Sequence, residues 1–401
     1  LLRLFSSEEK TYRDYSELVY SKSELMKYAA TLDLEKDKDK LDSLGVDVEK
    51  LKADLSIDKL RLEYPFGESE YTGDISKNIS EEAKTKLADQ KGKQYSASQL
   101  EEYAKCPFQY FLKRILQLET IEEPTEELES FELGSIIHSI LYEFYISLKE
   151  KSITLSQCDD AAFNKAEKLI FAIAEKKIEK LRLNSTMIFF EREKILGLAG
   201  NKKKSILYKF LEEERNNSEG FIPQYFEMGF GQFKNSKDEN EEEFFIGDVK
   251  VRGKIDRVDV NSNDNTYKVI DYKLSGKRPA KKELESGISL QLPLYLYASK
   301  KLIEAELSKE FNPAAAIIYS LKLSNKEFGK KNIHISSART PSEDDLLKSN
   351  EELIKICSEF IPIYVNKIAE GKFNLSTLED RENKVCRFCD FKSICRIQDV
   401  I

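Results

Sequence analysis

The chain has 401 residues, of which 40% are hydrophobic and 34% charged, and its formal net charge is −8. This composition predicts two or three domains with buried cores, and the negative charge leaves only a local basic surface for any polyanion. No segment is apolar for long enough to span a membrane and no signal peptide opens the chain, so we expect a cytoplasmic protein. Because the chain begins at Leu1 and not at Met, we also expect it to be part of a longer protein.

Residues 1–90 are rich in Lys, Glu, Asp and Ser and are predicted to form exposed helices, with turns at Gly45 and near Pro65. They contain no recognisable group of catalytic residues. The chain also lacks the G-x-x-x-x-G-K-[ST] sequence of a nucleotide-binding phosphate loop. A helicase motor is therefore not expected on this chain.

The segment YSASQLEEYAKCPFQYFLKRIL, residues 95–116, predicts a basic amphipathic helix that Pro107 interrupts. Ser98 is the predicted N-cap, with Glu101 three residues later in the capping-box position. A second helix is predicted for FELGSIIHSILYEFY, where Gly134 and His138 lie one turn apart on one face. Taken alone, a single helical His is more often structural than a ligand.

Residues 155–215 have helical periodicity and are predicted to form an inserted helical layer. The next segment, FIPQYFEMGFGQF, changes to strand periodicity and carries Glu227. After residue 286, GISLQLPLYLYASKKL predicts an apolar helix with Gln291 and Tyr295 on one face. A buried strand at 314–323 and a long helix that ends at Gly371 follow.

Residues 251–273 predict a β-hairpin, with strands VRGKIDRVDV and TYKVIDYK joined by the polar turn NSNDN. Asp256 and Asp271 stand among apolar residues, where a carboxylate without a partner is costly. Lys273 lies two residues after Asp271, on the same strand face. Two carboxylates and an ammonium on one face suit a divalent metal with an activated water, and Glu227 could add a third acid. A lone D-x-K sequence is also common as a simple ion pair.

The chain ends with a cysteine-rich segment, ENKVCRFCDFKSICRIQD, in which Cys386, Cys389 and Cys395 are spaced C-x2-C-x5-C. Three thiols this close in a reducing compartment indicate a soft metal and a fourth ligand. One close pair with single thiols favours an iron–sulfur cluster over structural Zn, whose sites usually have two close pairs. Cys106 is the best candidate for the fourth ligand, and the cluster would then clasp the helix around it to the end of the chain.

Together these segments resemble the nuclease domain of AddB-type subunits of bacterial helicase–nucleases, in the RecB-like branch of the PD-(D/E)xK superfamily. The resemblance covers about residues 95–396 and rests on six motifs in the family order, each weak alone. The superfamily is named after a Pro-Asp pair, and in this chain Ile270 takes the place of that Pro before Asp271. The motifs are Y-x-x-C-P-F around Cys106, G-x-x-x-H at 134–138, G-x-x-D at 253–256, D-Y-K at 271–273, Q-x-x-x-Y at 291–295 and the three terminal Cys.

The resemblance implies an α/β fold: a PD-(D/E)xK nuclease core, with a mixed central sheet flanked by helices, a helical insertion and an iron–sulfur clasp. We expect residues 91–401 to form this nuclease domain, with the insertion at 155–215 and the terminal Cys cluster at 384–396. Residues 1–90 would be a mostly helical N-terminal segment, the tail of a helicase-like region.

The resemblance also implies roles for individual residues. One or two Mg²⁺ or Mn²⁺ ions would be bound by His138, Asp256, Asp271 and the backbone carbonyl of Tyr272, with Glu227 as a further candidate ligand. The catalytic residues would be Asp256 and Asp271 as ligands, Lys273 orienting the attacking water, and Gln291 and Tyr295 positioning the DNA strand. A 4Fe–4S cluster would be held by Cys106, Cys386, Cys389 and Cys395.

The function implied is that of a metal-dependent DNA exonuclease that hydrolyses phosphodiester bonds at DNA ends. It would act in double-strand break repair and recombination, with DNA and a helicase subunit or region outside this chain as partners, and without a membrane. Two alternatives remain at this point. One is a stand-alone RecB-like iron–sulfur exonuclease of the CRISPR-adaptation type, and the other is a non-catalytic module that binds DNA ends.

Overall fold

The computed structural model describes most of the chain. The described ranges are residues 32–119, 130–179, 186–198, 201–231, 243–274, 278–324, 327–338 and 340–395, together with Tyr28 and Ile397 but without 44, 65, 66 and 68. The turn predicted near Pro65 lies outside these residues, as do the first 27 residues of the N-terminal segment. Within the described residues, no helix has the length and apolar character that crossing a membrane requires.

Seven strands of the described part form one mixed sheet around the predicted hairpin. The long strand β4 pairs in parallel with β1 and antiparallel with β2, β3 and β5. Beyond the hairpin, β5 pairs in parallel with β6, and β6 pairs antiparallel with β7. The strands are β1 (Gln94–Ser96), β2 (Ile222–Phe230), β3 (Phe244–Ile246), β4 (Val249–Asn261), β5 (Thr266–Lys273), β6 (Asn312–Ser320) and β7 (Gly329–Ile333).

Helices cover both faces of this sheet and also form the N-terminal segment. A π-helical turn at Phe111–Ile115 continues α5. The helices are α1 (Lys38–Ser43), α2 (Val48–Glu63), α3 (Glu81–Ala88), α4 (Ala97–Lys105), α5 (Pro107–Tyr110), α6 (Ser130–Glu150), α7 (Asp160–Ile178), α8 (Thr186–Leu196), α9 (Ile206–Arg215), α10 (Lys281–Glu285), α11 (Gln291–Leu307), α12 (Glu343–Ala369), α13 (Arg381–Lys384) and α14 (Lys392–Cys395).

The sheet separates two hydrophobic cores because alternate residues of a strand face opposite sides. On β5, Tyr267 and Val269 pack with α4, α11 and α12, whereas Ile270 and Tyr272 pack with α6, α7 and α9. The predicted mixed sheet flanked by helices is therefore confirmed. The layer predicted at 155–215 contains α7, α8 and α9; its description as an insertion, and the division of the chain near residue 90, stay predictions.

Helix α4 begins two residues earlier than predicted. Its N-cap is Ser96, whose Oγ accepts from the Gln99 N–H, while Gln99 Oε1 accepts from the Ser96 N–H at 2.9 Å. The prediction of Ser98 as the cap, with Glu101 as its capping-box partner, is wrong. Ser96 with Gln99 and Ser98 with Glu101 both match the capping-box pattern. Because Ser96 pairs with Arg252 in the sheet, the helix begins directly after Ser96, which therefore becomes the cap.

A buried ionic cluster joins the helices to the sheet beside the hairpin. Arg257 on β4 is fully buried, and its guanidinium bonds to Asp259 at 2.5 and 2.7 Å and to Glu214 of α9 at 2.8 Å. Lys330 of β7 lies 2.9 Å from the other Glu214 oxygen, and the Tyr145 hydroxyl of α6 donates to Glu214. Burial alone would raise the pKa of Glu214, but Arg257 and Lys330 lower it to about 2.

Replacing Arg257 with Met should lower the free energy of unfolding by about 3–5 kcal/mol, because it leaves Glu214 and Asp259 buried without their cation. Urea unfolding at pH 7, followed by circular dichroism, measures the change. Lys348→Met is the control, since Lys348 forms an exposed ion pair with Asp344 on α12 and should matter little. Equal stability of the two variants would contradict the importance of the buried cluster.

Candidate active site

Three carboxylates lie side by side on neighbouring strands. The pairs Phe226–Arg257 and Met228–Ile255 between β2 and β4 put Glu227 opposite Asp256. The β4–β5 pairing ends at Arg257 and Ile270, so Asp256 and Asp271 are the residues that directly follow the last pair on each side. Side chains directly across a sheet are close neighbours. The fold thus groups the three acids that the sequence analysis singled out.

Asp256 fills the gap where β4 and β5 stop pairing. Its Oδ2 accepts the Tyr272 backbone N–H at 2.9 Å, a donor that would otherwise lack a partner. Its Oδ1 lies 3.2 Å from Nδ1 of His138, and the Nε2 of the same ring lies 3.1 Å from the Tyr272 carbonyl oxygen. Burial would lower the pKa of His138, but the bond to Asp256 and the charges of Asp256 and Asp271 raise it. One His thus contacts both strands.

Asp271 is held by the residues predicted to surround the reacting phosphate. Lys273 Nζ lies 2.9 Å from Asp271 Oδ2, and the Gln291 side-chain amide donates to Asp271 Oδ1 at 2.9 Å. Lys273 also donates to Gln291 Oε1 at 3.2 Å, and Gln291 Nε2 lies 3.2 Å from the Tyr295 hydroxyl. Burial and the negative charge of Asp256 raise the pKa of Asp271 to about 6, although Lys273 opposes the shift.

Glu101 anchors the helix that carries Gln291 and Tyr295, and the sequence analysis missed this role. Its Oε1 accepts the backbone N–H groups of Leu290 and Gln291 at 2.7 and 2.9 Å, which caps α11 from a different element. A carboxylate at this position also complements the helix dipole. The two partners are about 190 residues apart in the sequence, so no local pattern announces the contact.

A metal-binding geometry is present among these residues. One potential ligand atom from each of His138, Glu227 and Asp256 lies within 4.8 Å of the other two. Carboxylate oxygens with one imidazole suit Mg²⁺ or Mn²⁺. Glu227 has a φ of 51°, in the left-handed region, although it lies within a strand. Such strained backbone is concentrated at functional sites.

The site opens into a cavity of about 840 Å³ between α6, the middle of β4 and the end of β5. A side chain at Gly134 would meet nothing within 4 Å, so this helix face is open one turn from His138. Tyr142, a further turn along α6, is exposed at the same cavity. Lys254 and Lys273 supply the positive charges of the lining. This volume is sufficient for a nucleotide-sized group.

The four predicted cluster ligands meet in a second place, around a small cavity of about 30 Å³. Cys106 precedes α5, and Cys386, Cys389 and Cys395 come from the last described segment; none of the four forms a disulfide. The Gln109 N–H donates to Cys106 Sγ at 3.4 Å, while burial raises the pKa of the Cys106 thiol to about 11. Four thiols with a backbone donor are the donor set of an iron–sulfur cluster, so the residues present fit that group.

Residues 94–396, well over half of the chain, match the model of the PD-(D/E)XK nuclease superfamily. The chain belongs to this superfamily. The matched region includes every residue of the site and all four clustered cysteines.

Curated relatives extend the similarity over most of the chain. The chain is 26% identical over 407 residues to the B-type subunit of an ATP-dependent helicase/deoxyribonuclease of Clostridium perfringens, a match that covers 84% of this chain and 33% of the relative. Proteins of the same name from Clostridium tetani and Clostridium botulinum are 25% and 28% identical, over 76% and 72% of this chain and 30% and 26% of their own length. The chain thus spans about a third or less of these relatives.

In this PD-(D/E)XK nuclease domain, the predicted site residues occupy two sub-sites. His138, Glu227 and Asp256 form the group with metal-binding geometry, while Asp271 is bonded to Lys273 and Gln291 instead. The two sub-sites adjoin, because Asp256 accepts the backbone N–H of Tyr272, the residue next to Asp271. The roles assigned to these residues stay predictions.

Replacing Asp271 with Asn should raise the free energy of unfolding of the metal-free domain at pH 8, on the order of 1–3 kcal/mol. In the folded protein the pKa of Asp271 is about 6, above its ordinary value of 3.8, so stability falls as the pH rises through this range and the buried carboxyl ionises. Asn never ionises, so the gain should shrink as the pH falls towards 4. Urea unfolding in EDTA at pH 8 and pH 4.5 measures it.

The control is Asp248→Asn, in the exposed turn between β3 and β4, which should change stability little at either pH. A domain that Asp271→Asn destabilises at pH 8 would show that the ion pair with Lys273 outweighs the cost of burying the charge.

Proposed function

We propose that this domain is the nuclease part of a helicase–nuclease and hydrolyses DNA phosphodiester bonds at DNA ends with the help of a divalent metal. One observation carries the proposal. The fold brings Asp256, Glu227, His138 and Lys273 to one open cavity, and Lys273 is paired there with the buried Asp271. This is the combination of oxygen ligands, imidazole and ammonium that metal-assisted hydrolysis needs.

Asp256, His138 and Glu227 would hold Mg²⁺ or Mn²⁺, and Asp271 and the Tyr272 carbonyl would complete the ligand set. The bound ion would supply a Lewis acid for the phosphate and lower the pKa of the attacking water. Asp271 must be ionised to act as a ligand, and because its pKa is about 6, a metal would compete with a proton for it in mildly acidic solution.

Lys273 would orient the attacking water, and Gln291 with Tyr295 would position the DNA strand. The present contacts support this division, because Gln291 links Lys273, Asp271 and Tyr295 in one hydrogen-bonded chain. Glu101 holds the first turn of α11 and therefore fixes where Gln291 stands.

The second cavity would hold a 4Fe–4S cluster on Cys106, Cys386, Cys389 and Cys395. Its proposed role is structural. Cys106 follows α4, the helix that carries Glu101, so the cluster would fasten the last segment of the chain to the elements that support the catalytic residues.

The proposed setting is DNA double-strand break repair and recombination in the cytoplasm. The relatives are named as helicase/deoxyribonuclease subunits, and this chain matches about a third of their length, which supports a helicase partner or region outside these residues. The same similarity favours this setting over a stand-alone exonuclease. The complete Asp, Asp and Lys set favours a catalytic domain over a module that only binds DNA ends.

Replacing Asp256, Asp271 or Lys273 singly with Ala should abolish cleavage of end-labelled DNA in Mg²⁺. The two Asp variants lose a metal ligand, whereas Lys273→Ala loses only the group that orients water, worth about 10²–10⁴-fold in rate. Calorimetric titration with Mn²⁺ separates the cases, since Lys273→Ala should still bind metal. His138→Ala should lose less cleavage activity than these variants. The size of this loss should differ between Mn²⁺ and Mg²⁺, because imidazole is a better ligand for Mn²⁺ than for Mg²⁺.

Two controls match these variants. Lys268→Ala changes a lysine of the same strand that pairs with Glu219, and Asp264→Ala changes a carboxylate of the hairpin turn, so both should cleave like the wild type. Single-stranded and double-stranded substrates, with the label at either end, also test whether cleavage proceeds from ends. Near-normal cleavage by Lys273→Ala would mean that Lys273 is not needed for catalysis and that the Asp271–Lys273 ion pair is only structural.

Protein purified without oxygen should be brown and contain iron and sulfide near four per chain, the composition of a 4Fe–4S cluster. Cys106→Ser should lose the cluster and lower thermal stability. Cys357→Ser is the matched control, because Cys357 is buried in α12 away from the other thiols and should keep the cluster. A colourless protein that carries one Zn would contradict this assignment.

A further inference from the structure

We propose that Lys254 neutralises Glu227 while the metal site is empty and moves to a DNA phosphate when a metal takes Glu227. Metal binding and DNA binding would then strengthen each other through this one side chain. The inference rests on the proposed function, since it assumes that Glu227 belongs to the metal site and that DNA enters the cavity.

The charges around the cavity are paired one to one. Asp256 has His138 at 3.2 Å and Asp271 has Lys273 at 2.9 Å. Glu227 is in direct contact with Lys254. Glu227 and Asp256, which line the cavity, and the buried Asp271 beside it therefore each have a basic partner. A cation that binds here must compete with these partners for the carboxylate oxygens.

Lys254 is the partner that can leave most easily. Its side chain is 56% exposed, against 38% for Lys273, which is also held by Gln291. In the described part of the chain, the ion-pair partner of Lys254 is Glu227. The Glu227 side chain is only 16% exposed, but the Lys254 ammonium is open to solvent, so releasing it costs less than releasing the more buried Lys273. The flexible four-carbon stem lets the ammonium change position without moving the strand.

The position of Lys254 places the released ammonium next to the proposed metal. It precedes Asp256 by two residues on β4, so both side chains lie on the same strand face, and both line the cavity. A phosphate bound to the metal would therefore lie within reach of Lys254. An ammonium is a compact charge well suited to a phosphate oxygen.

Thermodynamic linkage follows from this arrangement. Glu227 and the phosphate compete for Lys254, while Lys254 and the metal compete for Glu227. A metal that occupies Glu227 therefore frees Lys254 for DNA, and DNA that occupies Lys254 frees Glu227 for metal. Such coupling is reciprocal, and typical values change each affinity by about 5- to 150-fold.

The first experiment titrates Mn²⁺ into the DNA-free domain by calorimetry. Lys254→Gln should bind Mn²⁺ several-fold more tightly than the wild type, because Glu227 no longer has a competing cation. The matched control is Lys250→Gln, since Lys250 lies on the same strand and pairs with Glu243 outside the cavity lining. It should bind Mn²⁺ like the wild type. Unchanged or weaker Mn²⁺ binding by Lys254→Gln would overturn the inference.

The second experiment measures the affinity for a labelled single-stranded oligonucleotide across a salt series, in EDTA and in Ca²⁺, with intactness of the DNA checked on gels. In Ca²⁺, Lys254→Gln should bind at least about 5-fold more weakly than the wild type. The slope of log affinity against log salt should also fall by about 0.7, the value for one phosphate contact on a single strand. In EDTA the two proteins should have the same slope, because Lys254 is then bound to Glu227.

Lys254→Arg keeps the charge and should retain the Ca²⁺-dependent slope. The coupling would be overturned if the wild type and Lys254→Gln had equal slopes of log affinity against log salt in Ca²⁺. It would also be overturned if their slopes differed by the same amount in EDTA as in Ca²⁺. These failures are distinct from failure of the proposed function. If the wild type cleaves DNA and Asp256→Ala does not, the active site stands and only the role of Lys254 is refuted; a wild type without metal binding or cleavage refutes both.

Discussion

The buried contact between Arg257 and its two carboxylates, Glu214 and Asp259, sets the geometry on which the site depends. Arg257 directly follows Asp256 on β4, and both side chains contact α6: Arg257 donates to the Tyr145 hydroxyl, and Asp256 lies beside His138. Arg257 is also joined to α9 through Glu214. Slippage of β4 by one residue would separate Arg257 from these partners and leave buried charges unpaired. The position of Asp256 is thus secured by neighbouring residues that do not line the cavity.

The site itself works against the stability of the fold. Burial and the charge of Asp256 raise the pKa of Asp271, so its ionised form is less favourable than that of an exposed carboxylate, and Lys273 compensates only in part. Glu227 adopts a backbone conformation that non-Gly residues usually avoid. Both features are costs in the metal-free protein that a bound cation would offset. The ionic cluster around Arg257 and the two apolar layers supply the rigidity that keeps these groups in place.

Local patterns in the sequence predicted much of this arrangement. The alternation of apolar and polar residues and the polar turn were enough to predict the β4–β5 hairpin. The spacing of Asp271 and Lys273 was enough to predict that both side chains lie on one face of the strand. Contacts between distant segments could not be predicted in the same way. Glu101 was predicted to be a local capping partner, yet it caps α11, and no local pattern distinguished the buried Arg257 from the other charged residues of the strand. Both roles arise from packing between elements, which the periodicity of a single segment does not encode.

The end of the chain returns to α4 and α5 through contacts that do not involve the thiols. The Tyr103 hydroxyl donates to the Lys372 carbonyl at 2.6 Å, and Ser376 Oγ donates to the Lys105 carbonyl at 2.6 Å. These bonds place the chain near Cys106 before Cys386 is reached. Arg61 of α2 then donates to the Cys395 carbonyl at 2.6 Å, which joins the N-terminal segment to the same corner. A cluster held by the four thiols would therefore stabilise a contact between segments that other bonds already bring together. Its loss would release the last segment and the α2 contact before it disturbed the central sheet.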